Sequence, residues 1–130
     1  PTRFDGLKVA CLDNDPQILS GMKLLLEGWG CDVQLAESRA ELFAGFTGHG
    51  LPAILLADYH LSGDLGLDVI EDARATFNPG LAAVLVTADR SAEVKARAAG
   101  MDVAILHKPL RPAALRAIVA QHRALRIAAE

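Results

Sequence analysis

The chain has 130 residues and a formal net charge of −3; 52% of its residues are hydrophobic and 22% are charged. This length suits one domain with its own hydrophobic core. The acidic balance, without a block of basic residues, argues against sequence-independent binding of nucleic acid, and no apolar run approaches the roughly 18 residues of a membrane span.

Apolar runs alternate with amphipathic segments along the chain. Residues 1–6 are predicted to be a linker, and residues 7–12 a first strand. Asp15 can cap the helix that follows, with Pro16 in its first turn. Apolar residues at three- and four-residue spacing give this helix one buried face, and it is expected to end near Gly28.

The next elements are bounded by capping and turn residues. Residues 32–36 are predicted to be a second strand, and Ser38 with Glu41 forms the capping-box pattern of a second helix. The apolar run that begins at Ala53 predicts a strand buried on both faces, and that strand ends at Asp58. A third helix is predicted over residues 67–77.

The last third of the chain repeats the alternation. Strands are predicted over residues 82–86 and 103–106, with a short helix between them that Ser91 caps and Gly100 ends. A final helix opens at Pro112. Five strand–helix units predict an α/β fold, with a parallel sheet covered by helices on both faces.

Polar side chains follow four of the predicted strands. They are Asp13, Asn14 and Asp15 after the first strand, Asp58 after the third, Thr87 after the fourth and Lys108 after the fifth. Because the carboxyl ends of parallel strands share one edge of the sheet, we expect these side chains to converge. Grouped carboxylate and amide oxygens suit Mg²⁺, and a hydroxyl with an ammonium suits an anion such as phosphate.

This set of residues resembles the receiver domain of two-component response regulators, over about residues 7–124. The order and spacing of the acidic end of strand one, the strand-three Asp, the strand-four Thr-Ala and the strand-five Lys-Pro all fit. The resemblance implies a (βα)5 doubly wound parallel sheet of flavodoxin-like strand order 2-1-3-4-5, in three α/β/α layers. We expect the domain to span residues 7–126, followed by a C-terminal tail at 127–130.

The resemblance implies that Asp58 is the phosphoacceptor, whose carboxylate attacks the phosphorus of a phosphohistidine on a partner kinase. It also implies a divalent cation, Mg²⁺ or Mn²⁺, held by Asp13, Asn14, Asp58 and the backbone carbonyl of His60. The implied reaction is in-line phosphoryl transfer, assisted by positioning and charge neutralisation.

The remaining implied roles concern the phosphoryl group. Thr87 would hydrogen-bond a phosphoryl oxygen and move toward it on activation. Lys108 would pair with Asp58 before the reaction and with the phosphoryl group after it. Pro109 would follow a cis peptide bond that aims Lys108 into the site.

Two positions depart from the family pattern. The second of two successive acidic residues is Asn14 here, so we expect weaker Mg²⁺ binding than in a fully acidic site. The switch position, three residues before Lys108, is usually aromatic and is Ile105 here, so the conformational output is expected to differ. His60 and His107 flank the site without metal-ligand spacing and are expected to be ordinary loop residues.

The implied partner is the phosphotransfer domain of a histidine kinase, in the same chain or a separate one, or a histidine phosphotransfer protein. A homodimer is also compatible with the family. The start at Pro1 suggests a piece of a longer protein. The linker-like start and the helix at the end suit a C-terminal receiver of a hybrid sensor histidine kinase, a regulator trimmed of its output domain or a stand-alone receiver. The ending Asp13-Asn14-Asp15 favours the hybrid sensor histidine kinase. No secretory signal is visible, so a cytoplasmic setting is expected.

Two alternatives stay open. A pseudo-receiver would keep the fold for protein–protein contact without phosphorylation. A phosphohydrolase of the haloacid-dehalogenase type would use the D-x-D pattern, with Asp13 as nucleophile and Asp15 as acid/base. Pro16 and Gln17 do not match that family, and the chain has no cap insertion.

Overall fold

Five strands and five helices alternate along the chain. The computed structural model describes residues 3–129, and it describes the side chains of residues 3–123. The strands are β1 (Lys8–Leu12), β2 (Asp32–Ala36), β3 (Ile54–Asp58), β4 (Ala83–Thr87) and β5 (Ala104–His107). The helices are α1 (Pro16–Gly28), α2 (Arg39–His49), α3 (Gly66–Thr76), α4 (Ala92–Gly100) and α5 (Pro112–Ala129). Each strand begins within one residue of its predicted start.

The strands form one parallel sheet in the order β2-β1-β3-β4-β5. The central strand β3 is buried along its whole length, because helices cover both faces of the sheet. The predicted (βα)5 fold with flavodoxin-like order is therefore confirmed, and β3 carries its last residue, Asp58, to the middle of the carboxyl edge.

Alternate strand residues face two separate hydrophobic clusters. On one face Leu55 and Leu85 belong to a cluster with buried residues of α2, α3 and α4. On the other face Leu56 and Val86 belong to a cluster with buried residues of α1 and α5. This period of two is what a strand buried on both sides requires, and it gives the three α/β/α layers that the sequence predicts.

Side chains cap three of the helices at the residues that the sequence indicates. The Asp15 carboxylate accepts a hydrogen bond from the backbone N–H of residue 17 at 2.9 Å. Ser38 and Ser91 accept from the backbone N–H groups of residues 41 and 94. Each such cap stabilises its helix by about 1 kcal/mol. Among the helices of residues 3–129, none is both long and apolar enough to cross a membrane.

Described residues lie outside both predicted bounds of the domain, residues 7 and 126. Residues 1–2 of the predicted linker lie outside the described residues, but Phe4 is 4% exposed and belongs to the cluster with α1 and α5. Its N–H donates to the Trp29 carbonyl, and the two rings meet edge to face at 6.1 Å. At the other end α5 continues through the predicted tail to Ala129, and residue 130 lies outside the described residues.

Candidate functional site

Three polar side chains are buried at the carboxyl edge of the sheet. Asp13 follows β1, Asp58 ends β3 and Thr87 ends β4, with exposures of 2%, 8% and 1%. Burying a carboxylate is costly unless an opposite charge or hydrogen bonds compensate for lost hydration. Two of them side by side therefore require a positive partner.

That partner is Lys108, which follows β5. Its ammonium lies 3.1 Å from Asp58 Oδ1 and 3.3 Å from Asp13 Oδ2. The Lys108–Pro109 peptide bond is cis. One ammonium thus pairs with two carboxylates, Asp13 and Asp58, which are 45 residues apart in the sequence.

The pKa values of this group reflect the competition between burial and charge. Burial raises the pKa of the Asp58 carboxyl, and the hydrogen bond from Lys108 offsets this only in part. Burial alone would lower the pKa of Lys108, but its hydrogen bond to Asp58 and the charge of Asp13 raise it overall. On acidification, Asp58 therefore takes up its proton at a higher pH than an exposed aspartate does.

The β1–α1 loop supplies further oxygen atoms. Asp13 Oδ1 accepts the N–H of Asp15 at 2.9 Å, which fixes the direction of the Asp13 carboxylate. Asn14 is exposed, and its Nδ2 donates to Ser62 Oγ at 3.3 Å, which ties this loop to the loop after β3. The structure therefore places Asn14 beside the site, in contact with Ser62, a residue that the sequence did not indicate.

The donor set suits a hard cation that keeps some of its waters. Within the described residues, no three His, Cys, Asp or Glu side chains come together as a metal site. The carboxylates Asp13 and Asp58 supply two hard anionic oxygens, and further ligands would be amide, backbone and water oxygens. Mg²⁺ commonly binds through one or two carboxylates in this way, so the residues present fit Mg²⁺.

Thr87 is connected to the start of α4 rather than to Asp58. Its Oγ1 accepts the N–H of Asp89 at 3.0 Å, and Asp89 Oδ1 accepts the N–H of Ser91 at 2.8 Å. Ser91 in turn caps α4. A continuous run of hydrogen bonds therefore leads from the site to this helix. Asp89 was not identified from the sequence, although an Asp two residues before a helix cap is a usual turn signal.

His60 and Asp89 lie at the exposed side of the site. The His60 ring nitrogen Nε2 is 4.0 Å from Asp89 Oδ2, and the His60 side chain is 70% exposed. The backbone of His60 pairs with Leu65 across the loop after β3. The two loops that follow β3 and β4 are thus close enough for their side chains to interact.

Neighbouring residues at the end of β5 face opposite sides of the sheet, and Leu106 packs in the cluster with α1 and α5. Ile105 is half-buried and packs against the cluster with α2, α3 and α4. The expectation that His107 is an ordinary loop residue is wrong, because it is the last residue of β5 and is half-buried. It pairs in register with Thr87.

Gly66 allows the start of α3 to lie close to the end of β3. A Cβ atom at this glycine would lie 2.1 Å from the Asp58 carbonyl oxygen, and its N–H donates to the Tyr59 carbonyl at 2.7 Å. Only a residue without a side chain permits this approach.

Replacing Gly66 with Ala is therefore expected to destabilise the chain by about 1–3 kcal/mol, because backbone rather than a flexible side chain must move. The control is Gly21→Ala in the exposed part of α1, where a Cβ meets nothing within 4 Å and stability should rise by about 0.5–1 kcal/mol. Urea unfolding measures both. Equal effects of the two substitutions would contradict this account of Gly66.

The sequence and the fold of this chain are similar to those of known proteins. The sequence profile of the response regulator receiver domain matches residues 9–120. A CheY-like receiver domain protein of Methanospirillum hungatei is 24% identical with a TM-score of 0.81, over 90% of this chain and 93% of that one. CheY4 of Vibrio cholerae is 19% identical with a TM-score of 0.82, over 89% and 98% of the two chains. A putative response regulator of Chloroflexus aurantiacus is 24% identical with a TM-score of 0.82, over 92% and 99%. No curated protein sequence matches the chain.

Proposed function

The chain belongs to the response regulator receiver domain family of two-component signalling, and from that membership we propose that Asp58 is its phosphoacceptor. The donor in this proposal is a phosphohistidine of a histidine kinase or of a histidine phosphotransfer protein. The observation that carries the proposal is the buried Asp58 carboxylate, held at the carboxyl edge of the sheet by a lysine ammonium at 3.1 Å.

In the proposed reaction an Asp58 carboxylate oxygen attacks the phosphorus, and the phosphorus–nitrogen bond of the donor breaks. The donor imidazole leaves with the bonding electron pair and a proton from solvent, and an aspartyl phosphate forms. Lys108 then turns its ammonium toward the new phosphoryl oxygens, and the Thr87 hydroxyl donates to one of them. The protein contributes mainly position and charge neutralisation.

Mg²⁺ fits the oxygen set of the site, with Asp13, Asp58, the Asn14 amide oxygen and the His60 carbonyl as proposed ligands. When bound it would neutralise negative charge on the phosphoryl oxygens. Asn14 brings no charge, so Mg²⁺ should bind more weakly than to a site with two successive acidic residues.

Intact mass measures this function directly. The native chain, incubated with acetyl phosphate and Mg²⁺, should gain the mass of one phosphoryl group, and a chelator should prevent the gain. The Asn14→Asp variant should reach its half-maximal rate of phosphorylation at a lower Mg²⁺ concentration than the native chain. A native chain that gains no mass from acetyl phosphate or from a phosphorylated kinase domain would instead support the pseudo-receiver alternative.

The kinase is proposed to dock beside Lys108. An apolar groove of about 360 Å³ lies between α1 and the loop after β5, lined by Ile18, Gly21, Met22, Leu25, Val86, Lys108, Pro109 and Leu110. A donor helix seated there would lie next to the acceptor, and apolar lining beside a reactive centre is typical of such recognition sites.

An aspartate in this groove should separate docking from chemistry. Ile18→Asp is expected to slow transfer from a phosphorylated kinase domain by about tenfold or more, because a charge would have to be desolvated against apolar surface. Phosphorylation by acetyl phosphate should stay unchanged. Ser20→Asp, at an exposed position of α1 outside the groove, is the control; an equal loss in both variants would exclude this docking site.

The phosphohydrolase alternative receives less support. It assigns acid/base chemistry to Asp15, whose carboxylate is the N-cap of α1. The ammonium of Lys108 contacts Asp13 and Asp58, whereas the alternative pairs Asp13 with Asp15. That this chain is part of a hybrid sensor kinase stays a prediction, which rests on the sequence Asp13-Asn14-Asp15 after β1.

A further inference from the structure

His107 carries a buried polar atom that the proposed reaction does not use. Its ring nitrogen Nε2 is inaccessible to solvent and has no hydrogen-bond partner within the part of the chain that the structure describes. Buried polar atoms are nearly always paired, so an exception suggests a partner that is absent from this conformation.

Thr87 is a candidate partner in the neighbouring strand. Thr87 and His107 end neighbouring strands and are paired in register, with parallel strands about 4.8 Å apart. Both side chains lie on the α2–α4 face, since Leu85 and Ile105, two residues earlier in each strand, pack in the cluster on that face. The hydroxyl and the imidazole therefore belong to neighbouring side chains on one face of the sheet.

The imidazole is in the correct form to act as a donor. Burial, together with the positive charges of Arg90 and Lys95, lowers the pKa of His107. A neutral imidazole has one N–H donor and one acceptor nitrogen. It can therefore donate from Nε2 without introducing a charge.

We propose that His107 is a positioning residue, whose Nε2–H donates to Thr87 Oγ1 once Thr87 donates its hydroxyl hydrogen to a phosphoryl oxygen on Asp58. This inference rests on the proposed function. In the structure described above, Thr87 Oγ1 accepts a hydrogen bond from the N–H of Asp89. In the phosphorylated chain the Thr87 hydroxyl turns toward the phosphoryl group, so Oγ1 leaves the Asp89 N–H, which is released to water, and accepts from His107.

The exchange of partners transmits phosphorylation to α4. Asp89 also holds the N–H of Ser91, the cap of that helix, so release of the Asp89 N–H loosens the loop before α4. Ile105 faces the same side of the sheet but has no polar atom with which to make this bond. His107 therefore supplies the hydrogen bond that the switch position lacks.

Beryllofluoride, a stand-in for the phosphoryl group on an aspartate, tests the proposal with the full chain. His107→Phe keeps a ring of similar size without a donor and should bind beryllofluoride about three- to tenfold more weakly, as expected for one lost hydrogen bond. His107→Gln can place its amide N–H near the Nε2 position and should bind within about twofold of the native chain. Hydrogen exchange at the Asp89 amide should accelerate on beryllofluoride binding in the native and Gln chains but not in the Phe variant.

The outcomes are distinguishable. The role of His107 alone would be overturned if the native chain gains a phosphoryl group while His107→Phe binds beryllofluoride as tightly as the native chain and shows the same acceleration of Asp89 exchange. Absence of any phosphoryl gain in the native chain would overturn the proposed function as well. If the Phe variant does not fold, His107→Leu and the Gln variant provide the same comparison, and a Gln chain that loses affinity as Leu does would contradict the hydrogen bond.

Discussion

Asp58→Asn is expected to abolish the gain of a phosphoryl group completely and to make the chain more stable at neutral pH. The amide is not a nucleophile for phosphorus, so the first effect should not depend on the donor. The second effect follows from burial, which raises the pKa of the Asp58 carboxyl above its ordinary value. Ionised Asp58 therefore opposes folding, and the neutral amide removes that opposition.

The pH dependence of this stability has a defined sign. A carboxyl whose pKa is higher in the folded chain than in the unfolded chain stabilises the fold fully only below the unfolded pKa, and this stabilisation is lost as the pH rises through the folded pKa. The native chain should therefore gain stability relative to Asp58→Asn on mild acidification. Urea unfolding at neutral and mildly acidic pH measures the difference.

The control for Asp58 is Asp64→Asn, in the loop that follows β3 and half-buried. This variant should keep both the phosphoryl gain and the native dependence on Mg²⁺. Persistent phosphorylation of Asp58→Asn would show that another residue is the acceptor.

Lys108→Met is expected to destabilise the chain by about 1.5–3 kcal/mol at neutral pH, the usual effect of losing hydrogen bonds to charged groups. The methionine keeps the length of the side chain but leaves the buried carboxylates Asp13 and Asp58 without the ammonium that now lies 3.3 and 3.1 Å from them. Their repulsion should raise the pKa of Asp58 further. Phosphorylation should also slow, because the developing phosphoryl charge loses its cation.

The pH dependence of stability distinguishes the loss of the Lys108 charge from the loss of its packing. Protonation of Asp58 removes the repulsion, so the stability lost in Lys108→Met should shrink as the pH falls through the raised pKa of that carboxyl. Lys23→Met, at an exposed position of α1, should change stability by less than about 0.5 kcal/mol. A loss that is independent of pH would attribute the role of Lys108 to packing.

The order of strands and helices was predictable from sequence because its signals are local. Hydrophobic periodicity identified the elements, and Asp15, Ser38 and Ser91 marked three helix starts that the structure confirms. The meeting of Asp13, Asp58 and Lys108 was also predictable. It follows from a general property of parallel sheets, whose strands all end at one edge.

Other features depend on contacts between segments that are far apart in the sequence, and no sequence pattern predicts such contacts. Phe4 was predicted to lie in a linker, but Trp29 offers it an apolar surface only once α1 is folded. The contact of Asn14 with Ser62 joins two loops. These contacts depend on the path of each loop, which local propensity does not determine.

The sequence by itself determined the class of fold, the edge at which the site forms and the residue types that converge there, because periodicity and strand ends suffice for these. Only the tertiary structure decided which atoms pair. It gave Lys108 two carboxylate partners and connected Thr87 to Asp89. Among the residues that it describes, it left His107 Nε2 buried without a hydrogen-bond partner. Hydrogen bonds act over about 3 Å, so they are decided by the packing of whole elements and not by the order of residues along the chain.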